Sequence, residues 1–567
     1  MPTLDALAFA QLTDDELTLV QRLGVVSTFA DGDLVFVAGT ARIDLYIVLA
    51  GGIEIQNPAD GDRVIVLHER GAFVGDIDLI TGRPVLVTAI ARTATTAIRI
   101  PSSKMRQLLN QVPTFGEKLI IGLTRRRELL SQSNAIGMAV VGPTNCKQTN
   151  LVREFFYKNF VPFTWHEPNS TVGASIAASV DGVGLSPIVR LNDGSQTMVQ
   201  PTLRELAEAS GVWQSVHDEH VQLAIVGAGP AGISAAVYAA SEGLSTLLLD
   251  AMGPGGQASG SSKIENFIGF PAGLSGADLA TRGVLQMLKF GARMAAPVQV
   301  VGLVPPTDPA DPIALQLDSG NTIHADVVLL ATGVRWRKLQ ALRAAELEGA
   351  GVHYICTAVE AILYDSQDVA VVGGGNSAGQ AVMFLAECCR SRTVHMFVRG
   401  VFGKGMSAYL ASRIRATPNV RVHEQSQITA LSGDTRLNGI TYVTEASDVA
   451  PASSADIRSG AVFAFIGADP EIEWLPTTMA RDAHGFVQTG IDALRSGAWP
   501  LENRDPESLE TSIPGVLAAG DVRSGPTKRV GFAVGDGSLA VTCTHKLIAI
   551  KGAIRVLRAT ELGAVSL

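Results

Sequence analysis

Two short glycine runs and one cysteine carry the chemistry legible in this chain. The apolar run Gln222-Leu223-Ala224-Ile225-Val226 ends in Gly227-Ala228-Gly229-Pro230-Ala231-Gly232. Val369–Val372 likewise ends in Gly373-Gly374-Gly375-Asn376-Ser377-Ala378. Each reads as a strand, a glycine turn and the start of a helix. A helix N-terminus offers free N–H groups and the positive end of its dipole, and glycines let a pyrophosphate approach the backbone. The chemistry is dinucleotide binding, twice. The first run is a full G-x-G-x-x-G. Asp250 follows Gly229 by 21 residues, after Leu247-Leu248-Leu249, where a carboxylate accepts hydrogen bonds from an adenosine ribose. Cys356 stands 17 residues before Gly373 and has no near cysteine partner.

The 567 residues exceed one ordinary domain, and about three to five are expected. The net charge of −9, with no basic block, argues against a nucleic-acid partner. Met1–Ala10 lacks a basic region and carries Asp5, so no signal peptide is expected. No apolar, uncharged run reaches the roughly 18 residues of a membrane span. The cysteines are Cys146, Cys356, Cys388, Cys389 and Cys543, with no C-x-x-C among them. That spacing argues against a zinc ribbon and against a local dithiol. No metal site is expected, and the expected compartment is the reducing cytoplasm.

Three further regions must surround these groups. Residues 25–100 hold short β runs punctuated by Gly32-Asp33, Gly39 and Gly51-Gly52, the pattern of a β-roll or jelly roll. Residues 102–131 read as helical and end in Arg125-Arg126-Arg127, expected as a solvated helix end. Residues 135–217 read as strand, helix, strand, strand, helix, with Met138–Val141 as the first strand and Lys147–Phe160 as the first helix. Cys146 falls at that helix's start, where a thiol pKa is lowered.

The β-roll resembles cyclic-nucleotide-binding domains, on Gly32-Asp33, Gly39 and Asp44-Leu45-Tyr46-Ile47-Val48-Leu49-Ala50-Gly51. In that family a cassette with Gly-Glu and a nearby arginine grips the ribose and cyclic phosphate. Here it reads Phe73-Val74-Gly75-Asp76-Ile77-Asp78-Leu79-Ile80-Thr81-Gly82-Arg83-Pro84. The resemblance offers Gly75, Asp76 and Arg83 as effector residues, with Arg83 on a phosphate. Asp76 replaces the family's Glu, and Pro84 lacks an N–H. Two readings stay open: a cyclic-nucleotide site, or a degenerate β-roll used for packing or another small-molecule effector. Residues 135–217 resemble a thioredoxin or glutaredoxin fold, with Ser186-Pro187 as its cis-proline. The motif runs Cys146-Lys147-Gln148-Thr149, so its second cysteine is absent.

The remainder is similar to thioredoxin-reductase-like flavoproteins. The residues that carry this are Gly253-Pro254-Gly255-Gly256-Gln257, Ile264-Glu265-Asn266-Phe267, Gly269, Pro271, Leu329-Leu330-Ala331-Thr332-Gly333 and Gly515-Val516-Leu517-Ala518-Ala519-Gly520-Asp521. The resemblance implies FAD at Gly227, Gly229, Pro230, Ala231, Gly232, Asp250, Gln257, Asn266, Gly520, Asp521, Arg529 and Val530. Asp521 would bind the ribityl chain. The helix after Lys528-Arg529-Val530 would point its positive end at the flavin. NADPH, with NADH possible, falls to Gly373, Gly375, Asn376, Ser377, Ala378 and Arg399. A guanidinium at Arg399 chelates a 2′-phosphate that an acid repels.

The expected architecture is multidomain. It has a β-roll with helices (1–132) and a small thioredoxin-like α/β domain (133–218). Two Rossmann-like α/β domains follow, for FAD (219–337 and 472–567) and for NAD(P)H (338–471), the second inserted in the first. A homodimer is implied by the resemblance alone.

In thioredoxin reductases a Cys-x-x-Cys precedes the nicotinamide run. Its first cysteine falls here at Cys356, its second at Val359, and the following acid at Glu360. Valine forms no disulfide, so the usual relay cannot run. Three readings compete. Electrons pass from NAD(P)H through FAD to an unidentified acceptor of ferredoxin, quinone or oxygen type. Alternatively, a thioredoxin-disulfide reductase uses a rebuilt pair of Cys356 with Cys146. In the third reading the protein is a non-catalytic redox or nucleotide sensor.

Overall fold

The structure is a computed structural model. It describes residues 6–58, 61–132, 137–144, 146–180, 184, 186–192, 194–261, 263–356, 358–446, 452–526 and 528–565. Asn145, Leu185, Asp193 and Thr357, and the side chains of Val359 and Glu360, lie outside the described residues.

The N-terminal sheet is built on two long strands, Leu45–Asn57 and Thr88–Ile100, paired antiparallel from Leu45↔Ile100 to Gln56↔Thr88. Their inward residues Leu45, Ile47, Ile53, Ile98 and Ile100 form one core with Phe73, Leu119 and Leu123. The helices Met105–Gln111 and Pro113–Gln132 close this domain. The arginine triplet is not a solvated end. Arg126 is 6 % and Arg127 9 % exposed. Arg126 donates to the carbonyls of Ala8 (2.8 Å), Phe73 (3.0 Å) and Gly75 (2.9 Å). Arg127 donates to Asp76 (2.7 Å) and to Asp78. The helix carries buried charge because carbonyls and carboxylates of the β-roll meet it.

His68 is 4 % exposed beside this core. Burial, and then the charge on Arg126, push its imidazole down to about 3. The unfolded chain takes up a proton near pH 6.5 that the native protein takes up only near 3. Stability therefore falls as pH drops through that window, by roughly 4–5 kcal/mol if the whole window is crossed. His68→Phe is expected to flatten the acid limb of a urea-unfolding series between pH 6.5 and 4. An acid limb identical to the parent's would show that other groups set it.

Residues 137–217 form a four-stranded sheet in the order Thr197–Val199, Ile188–Arg190, Met138–Val141, Phe163–His166. The strand Phe163–His166 and the helix Thr171–Ala178 add to the expected strand, helix, strand, strand, helix. The Ser186–Pro187 peptide is cis.

Two α/β layers follow. In the first, Glu219–Val226 pairs in parallel with Thr246–Leu249 and with Thr322–Leu330. Val516–Ala518 joins the same sheet through Val328↔Val516. In the second, the order is Val352–His353, Ala461–Ala464, Val369–Val372, Val394–Val398, Val420–Glu424. Near-continuous Val, Leu and Ile runs suit strands covered on both faces. A two-stranded ribbon, Arg335–Trp336 with Ala468–Asp469, carries the chain between the two layers. No described helix is long and apolar enough to cross a membrane.

Candidate functional site: two dinucleotide folds and a buried thiol

The helix Pro230–Ser241 starts at Gly229, and no side chain caps it. Its first N–H groups are the unsatisfied donors a pyrophosphate needs. The glycines have distinct tasks. At Gly227 φ is +106°, and a Cβ would stand 2.4 Å from Ala331 O. A Cβ on Gly232 would stand 1.9 Å from Gly227 O, so only hydrogen fits between turn and helix. At Gly229 the nearest atom to such a Cβ is Gly256 Cα at 3.9 Å, so the approach is open. Ala231 is buried against the last helix, and a Cβ on Gly520 would stand 3.1 Å from Ala231 Cβ.

Asp250 sits at the end of the second strand, as expected. Its carboxylate accepts from Ala228 N (2.7 Å), Met252 N (2.9 Å) and Gly253 N (2.8 Å). Those bonds fold the loop 250–257 onto the fingerprint and leave one lone pair for a ribose hydroxyl. Gln257 turns its amide onto Val334 O. Asn266 lies on an exposed turn.

Gly520 (φ +73°) and Asp521 follow the closing strand. Burial raises the Asp521 carboxyl above its usual range. Two residues not anticipated from the sequence hold this loop. Asp536, on the helix Val530–Val565, accepts from Gly520 N (3.0 Å) and from Arg523 Nε and Nη2 (both 3.1 Å). The signal that could have found them is an Arg two residues past the Gly-Asp, matched to an Asp one turn and a half into the next helix. Lys528 donates to Asp521 O (2.6 Å), while Arg529 is exposed and Val530 half-buried. These residues fit FAD. The buried Thr332 Oγ1, in the segment closing the sheet, makes no hydrogen bond within the protein, and Thr332 Cα would stand 2.9 Å from a Cβ on Gly227 of the fingerprint.

The second fold repeats the design. Gly375 caps the helix Asn376–Cys388 without a side-chain hydrogen bond. Gly373 has φ +145°, and a Cβ there would stand 2.4 Å from Phe465 O. Ala378 is buried and Ser377 exposed. Asn376 Oδ1 accepts from Ser407 N at 2.8 Å, and Gly375 pairs with Gly405. The loop 400–407 is thereby laid along the glycine run. Arg399 is exposed at the end of Val394–Val398, and Lys404 is exposed on that loop. Lys404 is a second cation that the sequence reading passed over.

Cys356 is 5 % exposed and packs in the core that holds Ala361, Tyr364, Val369 and Val371. Its backbone bridges to Ser261 of the first fold. None of the five cysteines is in a disulfide. Cys146, half-buried, caps the helix Lys147–Lys158. That helix start meets the second fold: a Cβ on Gly349 would stand 3.3 Å from Asn150 Nδ2 and 4.0 Å from Lys147 Cα.

The effector residues are engaged within the protein. Asp76 is 5 % exposed and held by Arg127, and burial pushes its carboxyl up to about 6. Gly75 has φ +145°, and its carbonyl accepts from Arg126. Arg83 donates to the carbonyl of Asn159, at the end of the helix Lys147–Lys158.

Two uncapped glycine-led helices, each following a strand with parallel neighbours, fit the two nucleotides of an FAD-dependent NAD(P)H oxidoreductase. The pyridine nucleotide-disulphide oxidoreductase model matches residues 221–537, and the chain belongs to that family. The cyclic nucleotide-binding domain model matches residues 26–112. A 34.2 kDa protein in the rubredoxin operon of Clostridium pasteurianum is 30% identical over 333 residues, 58% of this chain and 98% of that protein. The NADH dehydrogenase of Bacillus subtilis is 31% identical over 376 residues, 65% of this chain and 68% of that protein. Among solved structures, the thioredoxin reductase of T. acidophilum aligns with a TM-score of 0.50 and 26% identity, over 58% of this chain and 98% of that one.

Proposed function

We propose that the protein passes electrons from NADPH through FAD to an external acceptor rather than through an internal dithiol. The observation that carries this is the buried Cys356 followed by Val359, where the resemblance places the two cysteines of a relay. FAD, when bound, accepts a hydride from NAD(P)H and hands electrons on. The chain's own residues seat the two nucleotides: the Gly229 and Gly375 helix starts face pyrophosphates, Asp250 and Asp521 take sugar and ribityl hydroxyls, and Arg399 with Lys404 takes a 2′-phosphate. We assign FAD to 219–337 with 472–567, and NAD(P)H to 338–471. The name of the Bacillus subtilis relative supports a dehydrogenase acting on an acceptor other than a disulfide. Anaerobic NADPH should bleach the yellow protein, and a flavin that stays oxidised sinks this reading. After bleaching, ferredoxin, quinone, oxygen and thioredoxin are offered in turn. Faster turnover with thioredoxin than with the others counts against it.

A second reading is favoured by the contact at Gly349. The start of the helix capped by Cys146 lies against the segment that runs on to Cys356. A Cys146–Cys356 pair would then replace the lost dithiol. Disulfide reduction that survives both Cys146→Ser and Cys356→Ser removes it.

Arg399→Glu should lower kcat/KM for NADPH by about 10- to 100-fold and leave NADH nearly unchanged. An unaltered NADPH-to-NADH ratio would show that the 2′-phosphate lies elsewhere.

A further inference from the structure

Three domains meet at one asparagine. Asn159 ends the helix Lys147–Lys158 and is 0 % exposed. Its Nδ2 donates to Phe155 O (2.9 Å), one turn back, and to Met252 O (2.8 Å), in the loop that follows Asp250. Its own carbonyl accepts from Arg83 of the β-roll. Gly253 is pressed against the same side chain: a Cβ there would stand 2.6 Å from Asn159 Nδ2. Met252 N and Gly253 N are two of the three donors to Asp250, and Gly255 N donates to Ala228 O (2.7 Å). The loop that lies over the flavin fingerprint is thus held from inside by Asp250 and from outside by Asn159.

A second contact runs in parallel. Leu285, on the helix Gly276–Phe290, belongs to the hydrophobic core of the β-roll. The same helix presses Gly283 on Ile233 of the fingerprint helix, where a Cβ would stand 2.5 Å away. The β-roll therefore reaches the flavin-binding fold through Asn159 and, directly, through Leu285. The first link is polar and can be broken by removing one side chain.

We propose that Asn159 is a positioning residue for the flavin site, and that the strut Arg83–Asn159–Met252 transmits the state of the β-roll to the loop 250–257. Arg83 fixes the Asn159 peptide. Asn159 fixes the Met252 carbonyl. With both in place, Asp250 and the fingerprint N–H groups face the nucleotide in one geometry. With Arg83 withdrawn, the Asn159 carbonyl loses its donor and the loop gains freedom. Arg83 also lines a cavity of about 160 Å³ between the β-roll and the thioredoxin-like region, with Asp78, Pro84, Arg127 and Asn192. Whatever occupies that space acts on the strut at its first member.

The test is the rate of FAD release from the holoprotein, followed by the rise in free-flavin fluorescence, beside the unfolding temperature of the apoprotein. Asn159→Ala is expected to speed release about 10-fold and Arg83→Ala about 3- to 5-fold. Arg83→Lys, which keeps a donor, should fall between Arg83→Ala and the parent. The two alanine changes together should release FAD no faster than Asn159→Ala alone, because they act on one chain of contacts. Should Asn159→Ala not fold, Arg83→Ala against Arg83→Lys decides. Release at the parental rate in Arg83→Ala overturns the proposal. So does a double variant whose acceleration is the product of the two single ones. Equal losses of apoprotein stability without a change in FAD release also overturn it, since they would make Asn159 a structural residue only. A parent that binds no FAD at all would instead refute the flavin assignment itself.

Discussion

Val359→Cys will give the protein a working dithiol. The change restores Cys-x-x-Cys with Cys356, at the start of the helix Ala358–Leu363. NADPH-dependent reduction of an aromatic disulfide should rise on the order of 100-fold over the parent. An anaerobic titration should take up four electrons per flavin, two for the flavin and two for the new disulfide, where the parent takes two. Cys356→Ser in the same background should return both readouts to parental values. The physical basis is narrow. A disulfide needs Cβ atoms about 3.5–4.5 Å apart, and the electron count reads whether positions 356 and 359 meet that spacing. If the variant still takes two electrons while its flavin is bleached normally, the segment around Cys356 has moved away from relay geometry and not merely lost one sulfur.

Gly232→Val will leave the protein colourless. A Cβ at this position meets Gly227 O at 1.9 Å and Ile225 Cγ2 at 3.3 Å, and the first of these is backbone that cannot turn aside. The turn must open, which carries the fingerprint N–H groups off the pyrophosphate. FAD affinity should fall at least about 100-fold, close to 3 kcal/mol. The check is the flavin absorbance that survives desalting, with circular dichroism to confirm a folded chain. Gly243→Ala is the control: its φ is +85°, but a Cβ there meets nothing within 4 Å. It should lose a little stability and stay yellow. Equal flavin content in Gly232→Val and the parent would mean that the nucleotide does not rest on this turn.

The two nucleotide folds were legible because their glycines are steric necessities. No other residue permits the approach of Gly227 to Ala331 or of Gly373 to Phe465, so spacing alone marks the site. The β-roll was legible from short strands and glycine turns. What escaped was set by contacts between residues far apart in sequence. Arg125-Arg126-Arg127 reads as a solvated run until Asp76 and Asp78, some 50 residues away, are placed beside it. Asp250 reads as a ribose ligand, yet much of its capacity goes to its own loop. The clamp of Asp536 on Gly520 and Arg523 shows in the sequence only as an Arg and an Asp 13 residues apart, a spacing that gains meaning once loop and helix fold together. Phe163–His166 was missed because its four residues are all half-buried and show no alternation. Arg83 and Asn159 carry no local mark of their partnership, since it exists only between folded domains.

The buried arginines also set an order of events during synthesis. Phe73, Gly75, Asp76 and Asp78 emerge from the ribosome some 50 residues before Arg126 and Arg127. Until the helix Pro113–Gln132 follows, Asp76 and Asp78 lack Arg127, and the carbonyls of Ala8, Phe73 and Gly75 lack Arg126. The matched cyclic-nucleotide-binding segment ends at residue 112, short of both arginines. A nascent chain of that length holds every strand of the β-roll and still lacks what closes it, so the domain locks only after the next twenty residues have left the tunnel.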